Sequence, residues 1–322
     1  METIARLKEY LLTVYPARKT AGQKAAFRQW AMGELKRAGW RAREEAGGKL
    51  NGSVNLVAGD PERATVFLCA HYDTASRMLL PNFVSPTNVP AHLCYHLAAA
   101  VVLVAAAFLL SLAVSYPLGQ PGLMLPLFLV LVVALLFTAA YGPANRSNAN
   151  GNSSGVLAVL ALAWALKRDG RVCLVLFDNN EKNLLGAAAF RKAHPRAAES
   201  ALFINFDCVG DGSRLLLMPS KYSRWDGELL AALREAFQPE AGVEPRVMDK
   251  GLAYYPSDHR KFKFHVAVCA CHFLPGLGHY IPRLRTRRDT VLEERNIACL
   301  TESLGRFLPL YLEDNRREGG AS

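Results

Sequence analysis

The spacing of hydrophobic and polar positions divides the chain into alternating elements. Residues 25–40 carry apolar side chains at helical intervals. Residues 54–58 form a short apolar run closed by Gly59-Asp60-Pro61, a turn signature. Residues 64–70 are apolar without interruption over a strand's length, the pattern of a central strand covered on both faces. Beyond a long uncharged block the alternation resumes. It predicts a helix over 154–167, a strand over 172–177, a helix over 184–194, a strand over 201–206, a helix over 225–237, a strand over 266–271 and a terminal helix over 291–312. Strands separated by helices predict an α/β domain with a mixed, largely parallel central sheet and helices on both faces. No internal repeat interrupts it.

The uncharged block changes the picture. Residues 78–145 contain no Lys, Arg, Asp or Glu, although 20% of the 322-residue chain is charged and its net charge is +10. Within the block, 92–116 and 123–141 are almost wholly apolar, and at 1.5 Å per residue each can cross roughly 30 Å of hydrocarbon. Pro117, Gly119, Pro121 and Gly122 break the chain between them. A pair of core helices is the alternative, but a domain of this size seldom needs two neighbouring helices apolar on every face. The expectation is a transmembrane hairpin over 78–145, inserted into one domain made of 1–77 and 146–322.

Charge and cysteine usage place that hairpin. Arg77 precedes it, Arg146, Lys167, Arg168 and Arg171 follow it, and its turn is uncharged, so the positive-inside tendency predicts a two-pass protein of the cell membrane with the soluble domain and both termini cytoplasmic. Met1 to Arg6 lacks an apolar signal core and begins an amphipathic helix. The seven cysteines are irregularly spaced and mostly sit in apolar runs, which fits reduced, buried thiols. The basic residues are scattered without aromatic platforms, so no nucleic-acid partner is expected; the lipid bilayer is the simpler attraction.

Chemistry in such sheets collects beyond the carboxyl ends of the strands. Here His71-Tyr72-Asp73, Asp178-Asn179-Asn180-Glu181 and Asp207 follow three successive predicted strands. Other candidates have plainer readings. Adjacent side chains diverge, so Ser257-Asp258-His259 is expected to support a pocket wall and not to form a relay. Cys269, Cys271 and His272 fit a buried strand, and His92 and His96 fit an interfacial anchor at the start of the first apolar helix.

In order along the chain stand a His-x-Asp strand end, Asn152-Ser153-Ser154-Gly155, a strand-end Glu181 with Gly186 five residues later, Ile204-Asn205-Phe206-Asp207, Ser257-Asp258-His259 and Asp289-Thr290. This series resembles the co-catalytic zinc exopeptidases, which include bacterial leucyl aminopeptidases, glutamate carboxypeptidase, glutaminyl cyclases and the inactive transferrin-receptor ectodomain. The resemblance covers residues 21–310 apart from the hairpin and implies the zinc-exopeptidase-like, phosphorylase/hydrolase-like fold. It also implies that His71, Asp207 and Glu181 stand at metal-ligand positions, with Asp73 as the carboxylate behind His71. Three further positions depart from the family. Gly151 stands where the bridging Asp belongs, Asn180 where the general base belongs, and Arg285 where the last His belongs.

Catalytic zinc normally has three protein ligands and an open position. The matched residues leave two ligands for one ion and one for the other, and an amide cannot take a proton from water. His279, Asn150 and Asn152 are the candidate replacement donors, and Arg285 is expected to neutralise Glu181 and Asp207 in a metal-free pocket. The expectation is therefore a membrane-anchored pseudopeptidase with no cofactor and no catalytic residue, whose former cleft binds a peptide or a membrane-protein partner. The alternative is an active zinc-dependent aminopeptidase with an atypical metal site. A glutaminyl-cyclase site is less well matched, since only Glu181 remains of its three ligand positions.

Overall fold

The apolar runs become the strands of a nine-stranded mixed sheet, seen in a computed structural model that describes residues 2–48, 51–251 and 253–319. Met1 and residues 49, 50, 252 and 320–322, which the expected division of the chain includes, lie outside these. The strands are β1 (Ala42–Ala46), β2 (Val54–Ala58), β3 (Val66–His71), β4 (Val172–Phe177), β5 (Leu202–Phe206), β6 (Arg214–Pro219), β7 (Glu244–Val247), β8 (Phe264–Leu274) and β9 (Gly278–Tyr280). Their order is β1-β2-β4-β3-β5-β8-β6-β7, with β9 on β8. The middle of the sheet, β4-β3-β5-β8, is parallel, while β1, β2 and β6 join it antiparallel.

Alternation along the strands sorts two cores. Leu56, Val66, Leu68 and Ala70 face a layer made by α1 (Glu2–Glu9), α2 (Ala21–Arg37), α5 (Ser154–Ala165), α8 (Gly227–Ala236) and α9 (Glu294–Gly319). Val57, Phe67, Cys69 and Phe177 face α6 (Leu185–Ala193) and α7 (Pro195–Ser200). On this second face Phe203 stacks on Phe262 with ring centroids 3.7 Å apart and on Phe67 at 4.4 Å. Helices thus cover both faces, as the alternation predicts.

The remaining helices are α3 (Val89–Ser115) and α4 (Met124–Tyr141). α3 begins three residues earlier than the apolar run suggests, because the Asn88 side chain accepts from the Ala91 amide and Pro90 suits the first turn. Both are long and apolar enough to cross a membrane, and only 11% of the most apolar stretch of α3 and none of that of α4 is buried. The hairpin leaves and rejoins the body at one place. Ser76 pairs with Ala144 across an antiparallel bridge, the Arg77 amide donates to the Pro143 carbonyl, and the Asn145 amide donates to Ala75.

Four strands are absent from the sequence-based expectation: β1, β6, β7 and β9. One charge argument also changes. Lys167, Arg168 and Arg171 sit where β4 begins, at the opposite edge of the sheet from the hairpin, roughly 17 Å away along the strands, so they do not flank it.

Candidate functional site

Three parallel strands deliver the polar residues to one edge. β3 pairs with β4 so that His71 lies beside Phe177, and with β5 so that Cys69 lies beside Asn205. The residues that follow each strand therefore converge. His71 Nε2 is 3.7 Å from Asp207 Oδ1, and its Nδ1 is 3.2 Å from Asp73 Oδ1, with all three side chains buried. Burial works against the imidazolium, but Asp207 and Asp73 outweigh it and raise its pKa well above the usual histidine range. Burial likewise opposes the two carboxylates, yet His71 holds Asp73 and Asp207 below their usual range.

Asp73 does more than orient His71. Its Oδ1 accepts from the Asn180 amide at 2.9 Å and its Oδ2 from the Glu181 amide at 3.0 Å, which fixes the loop after β4 against the loop after β3. Asn179 enters that loop with φ 52°, a left-handed conformation that asparagine tolerates.

Asn180 and Glu181 are then committed to partners. The Asn180 side-chain amide donates to Asp258 Oδ2 at 2.9 Å. Asp258 is fully buried and its Oδ1 has no hydrogen-bond partner, and that burial pushes its carboxyl up to about 7. Arg285 Nη2 stands 2.5 Å from Glu181 Oε2. Burial raises the Glu181 carboxyl, with Arg285 pulling it back. Arg285 itself has φ 61°, and its carbonyl accepts from the Met78 amide at 2.7 Å, so the segment before the hairpin holds it in that strained backbone.

Gly151 occupies a place that a larger residue cannot enter unaided. The Asn150 and Gly151 amides donate to the two oxygens of Asp289 at 2.8 and 3.1 Å. A β-carbon at 151 would lie 2.6 Å from Asn148 Oδ1 and 3.0 Å from Asp289 Oδ2. The Asp of the closing Asp-Thr pair thus braces the turn into α5, where residues Ala149–Ser153 form a π-helical turn.

Two residues that the sequence did not single out hold this edge together. Arg18 is fully buried and donates to the Tyr72 and Tyr15 carbonyls, to Asn152 Oδ1 and to Ser153 Oγ. Burial lowers its pKa to about 9. Lys24 Nζ lies 2.6 Å from both Asp178 Oδ1 and Asn179 Oδ1. Their signal in sequence is slight, because the acceptors of Arg18 are carbonyls and neutral side chains.

A cavity of about 110 Å³ is lined by His71, Asp207, Gly151, Asn180, Glu181 and Arg285, and by Asn152 of the three candidate replacement donors, while Asp73 stands outside it. A second, of about 180 Å³, has Asp73, Lys19 and Lys182 in its wall and ends at Ala139 and Ala140 of α4. Glu181 and Arg285 line both. Asn82 and Val84, from the uncharged block ahead of α3, also line the inner cavity.

The donor set does not fit zinc. Among the described residues no group of three or more His, Cys, Asp or Glu side chains is placed to hold a metal ion. The candidate replacements are engaged elsewhere. Asn150 Oδ1 accepts from the Gly210 amide, and Asn152 is shared between Arg18 and the carbonyls of Tyr72 and Asp73. His279, expected as a possible donor, lies in β9 against Thr87 and Phe273, outside the cavity. The His259 ring lies against Tyr255 and His265, Cys269 and Cys271 share a buried strand with sulfurs 3.7 Å apart, and His96 meets the Phe83 carbonyl.

The model for peptidase family M28 matches residues 132–291. The chain is M28-like in sequence and fold. The aminopeptidase LapA of Legionella pneumophila superposes with a TM-score of 0.58 at 12% identity, covering 96% of this chain and 68% of LapA. Porphyromonas gingivalis glutaminyl cyclase gives 0.58 at 16% identity, covering 96% of both chains. A leucine aminopeptidase precursor from Bacteroides thetaiotaomicron gives 0.55 at 14%, covering 95% of both. At these identities the superpositions establish the M28 fold alone. No curated protein matches the chain by sequence.

Proposed function

We infer that this M28-like chain is a membrane-anchored pseudopeptidase whose former cleft serves binding. The observation that carries the reading is the Arg285–Glu181 pair: a permanent cation occupies the carboxylate at one ligand position and stands where the last His belongs. Two neighbouring substitutions support it. Asn180 spends its amide on Asp258 and has no proton-accepting group, and a side chain at Gly151 would crowd Asn148 and Asp289. The inner cavity of about 110 Å³ is well below the roughly 300–1,000 Å³ of ordinary ligand pockets. Size therefore favours a membrane-protein partner gripping the rim over a peptide threaded inside.

The bare α3–α4 pair supports the membrane anchor, and the end of α4 in the wall of the outer cavity turns the site toward the bilayer. With Arg77 and Arg146 beside the hairpin base, both termini and the body lie on the cytoplasmic side.

Metal analysis and aminopeptidase assays on the purified full-length protein test the reading. The expected result is substoichiometric zinc and no turnover above background, for the wild type and for Asn180→Glu alone. Stoichiometric zinc together with turnover abolished by His71→Ala would overturn it in favour of an atypical zinc hydrolase.

A further inference from the structure

We propose that a cavity at the base of the hairpin binds the headgroup of an anionic phospholipid. The proposal rests on the reading of α3 and α4 as membrane spans and names the lipid chemistry met where they end. The cavity, of about 480 Å³, is lined by Arg77, Arg287 and Arg288 together with the Met78–Leu79–Leu80 run. It is separate from the two cavities at the former active site.

Its position is set by the backbone. The Arg77 amide donates to the Pro143 carbonyl, two residues beyond the end of α4. The Thr286 carbonyl, next to Arg287, accepts from the Asn145 side chain at 3.0 Å. Both walls are therefore tied to the point where the second apolar helix leaves the body, the level of the lipid headgroups.

Its chemistry is one-sided. Arg77, Arg287 and Arg288 are exposed, and among the described residues none of their guanidinium groups has a carboxylate partner. No Asp or Glu lines the cavity. Three cations around one concavity repel, and an anionic phosphodiester relieves that repulsion through forked guanidinium hydrogen bonds. Beside them Leu79 is 78% exposed, with Met78 and Leu80 half-buried. An apolar run next to a cationic cradle suits a ligand with an acyl chain below its phosphate, which inorganic phosphate lacks.

The test is native mass spectrometry of the full chain in detergent, titrated with dioleoylphosphatidylglycerol, dioleoylphosphatidylcholine or inorganic phosphate. The expected result is a tightly held phosphatidylglycerol that neither phosphatidylcholine nor millimolar phosphate displaces. At about 5-fold per arginine, the triple variant Arg77→Gln, Arg287→Gln, Arg288→Gln weakens it on the order of 100-fold. The charge-matched control Arg41→Gln, Arg63→Gln, Lys167→Gln, at the opposite sheet edge, leaves it unchanged. Equal retention of the two lipids, survival of the adduct in the triple variant, or displacement by phosphate would each overturn the proposal; displacement would identify a soluble phosphate-bearing ligand instead. Carbonate extraction of cell membranes separates the two readings. A chain released by carbonate removes the anchor, whereas a retained chain without lipid preference removes only this site.

Discussion

α5 and the hairpin helices are equally apolar, and their surroundings are opposite. In α5 every residue from Ser154 to Ala163 is buried between the sheet and α1, α2 and α9. In α4, with no buried residue, Val130, Val133 and Leu136 are 63%, 64% and 68% exposed. A helix apolar on all faces needs an apolar surround, which protein supplies in the first case and which, on the proposed reading, a bilayer supplies in the second. Composition alone does not separate the two; packing does.

The contrast can be broken by substitutions in each helix. Leu160→Ala in α5 is expected to cost about 2–5 kcal/mol of unfolding stability, read by denaturant titration in detergent, while Val133→Ala costs under about 0.5. Equal losses would mean that α4 packs on protein. Val133→Arg sharpens the point from the other side: near the middle of a span it opposes insertion by about 3 kcal/mol and lowers the carbonate-resistant fraction. No change in that fraction would count against the span.

A third test moves from apolar to charged burial inside the body. The Asp258 carboxyl is raised to about 7 from an ordinary 3.8, so the folded state holds the proton more tightly than the unfolded chain. The stability it contributes is fully present below pH 3.8 and is lost as the pH rises toward 7, after which the loss is complete. Asp258→Asn cannot ionise and keeps a carbonyl for the Asn180 amide. Its stability relative to wild type is expected to rise by on the order of 1–3 kcal/mol between pH 4 and 7, measured by paired thermal melts. A gap independent of pH would show that Asp258 is ionised in the fold. A further test lies at the surface of the body, where Thr20 and Gln23 form a reciprocal cap on α2. Thr20→Ala is expected to cost about 1 kcal/mol, and a larger loss would give Thr20 a role beyond capping.

How much of this was legible in sequence follows from where each signal resides. β2 and β4 fall on the predicted residues and β3 and β5 within two of them, because strands buried on both faces are written as unbroken apolar runs. β1, with the sequence AREEA, is a polar edge strand, and β7 and β9 are only four and three residues long, so periodicity has little to act on. β6 differs: Leu215, Leu216, Leu217 and Met218 do form an apolar run, yet the predicted elements do not include it. At the site, motif order brought His71, Asp207, Gly151, Asn180, Glu181 and Arg285 to one cavity. The bracing by Arg18 and Lys24 was not legible, because it depends on which carbonyls and side chains, Asp178 among them, the fold turns toward them.

The Ser76–Ala144 bridge carries a topological consequence. The insertion begins and ends at a single pinned point, so the body is interrupted in sequence without being opened in space. For a loop closed in this way the entropic cost grows only with the logarithm of its length, about 0.6 kcal/mol for each doubling. The α/β body is accordingly almost indifferent to how long the excursion is.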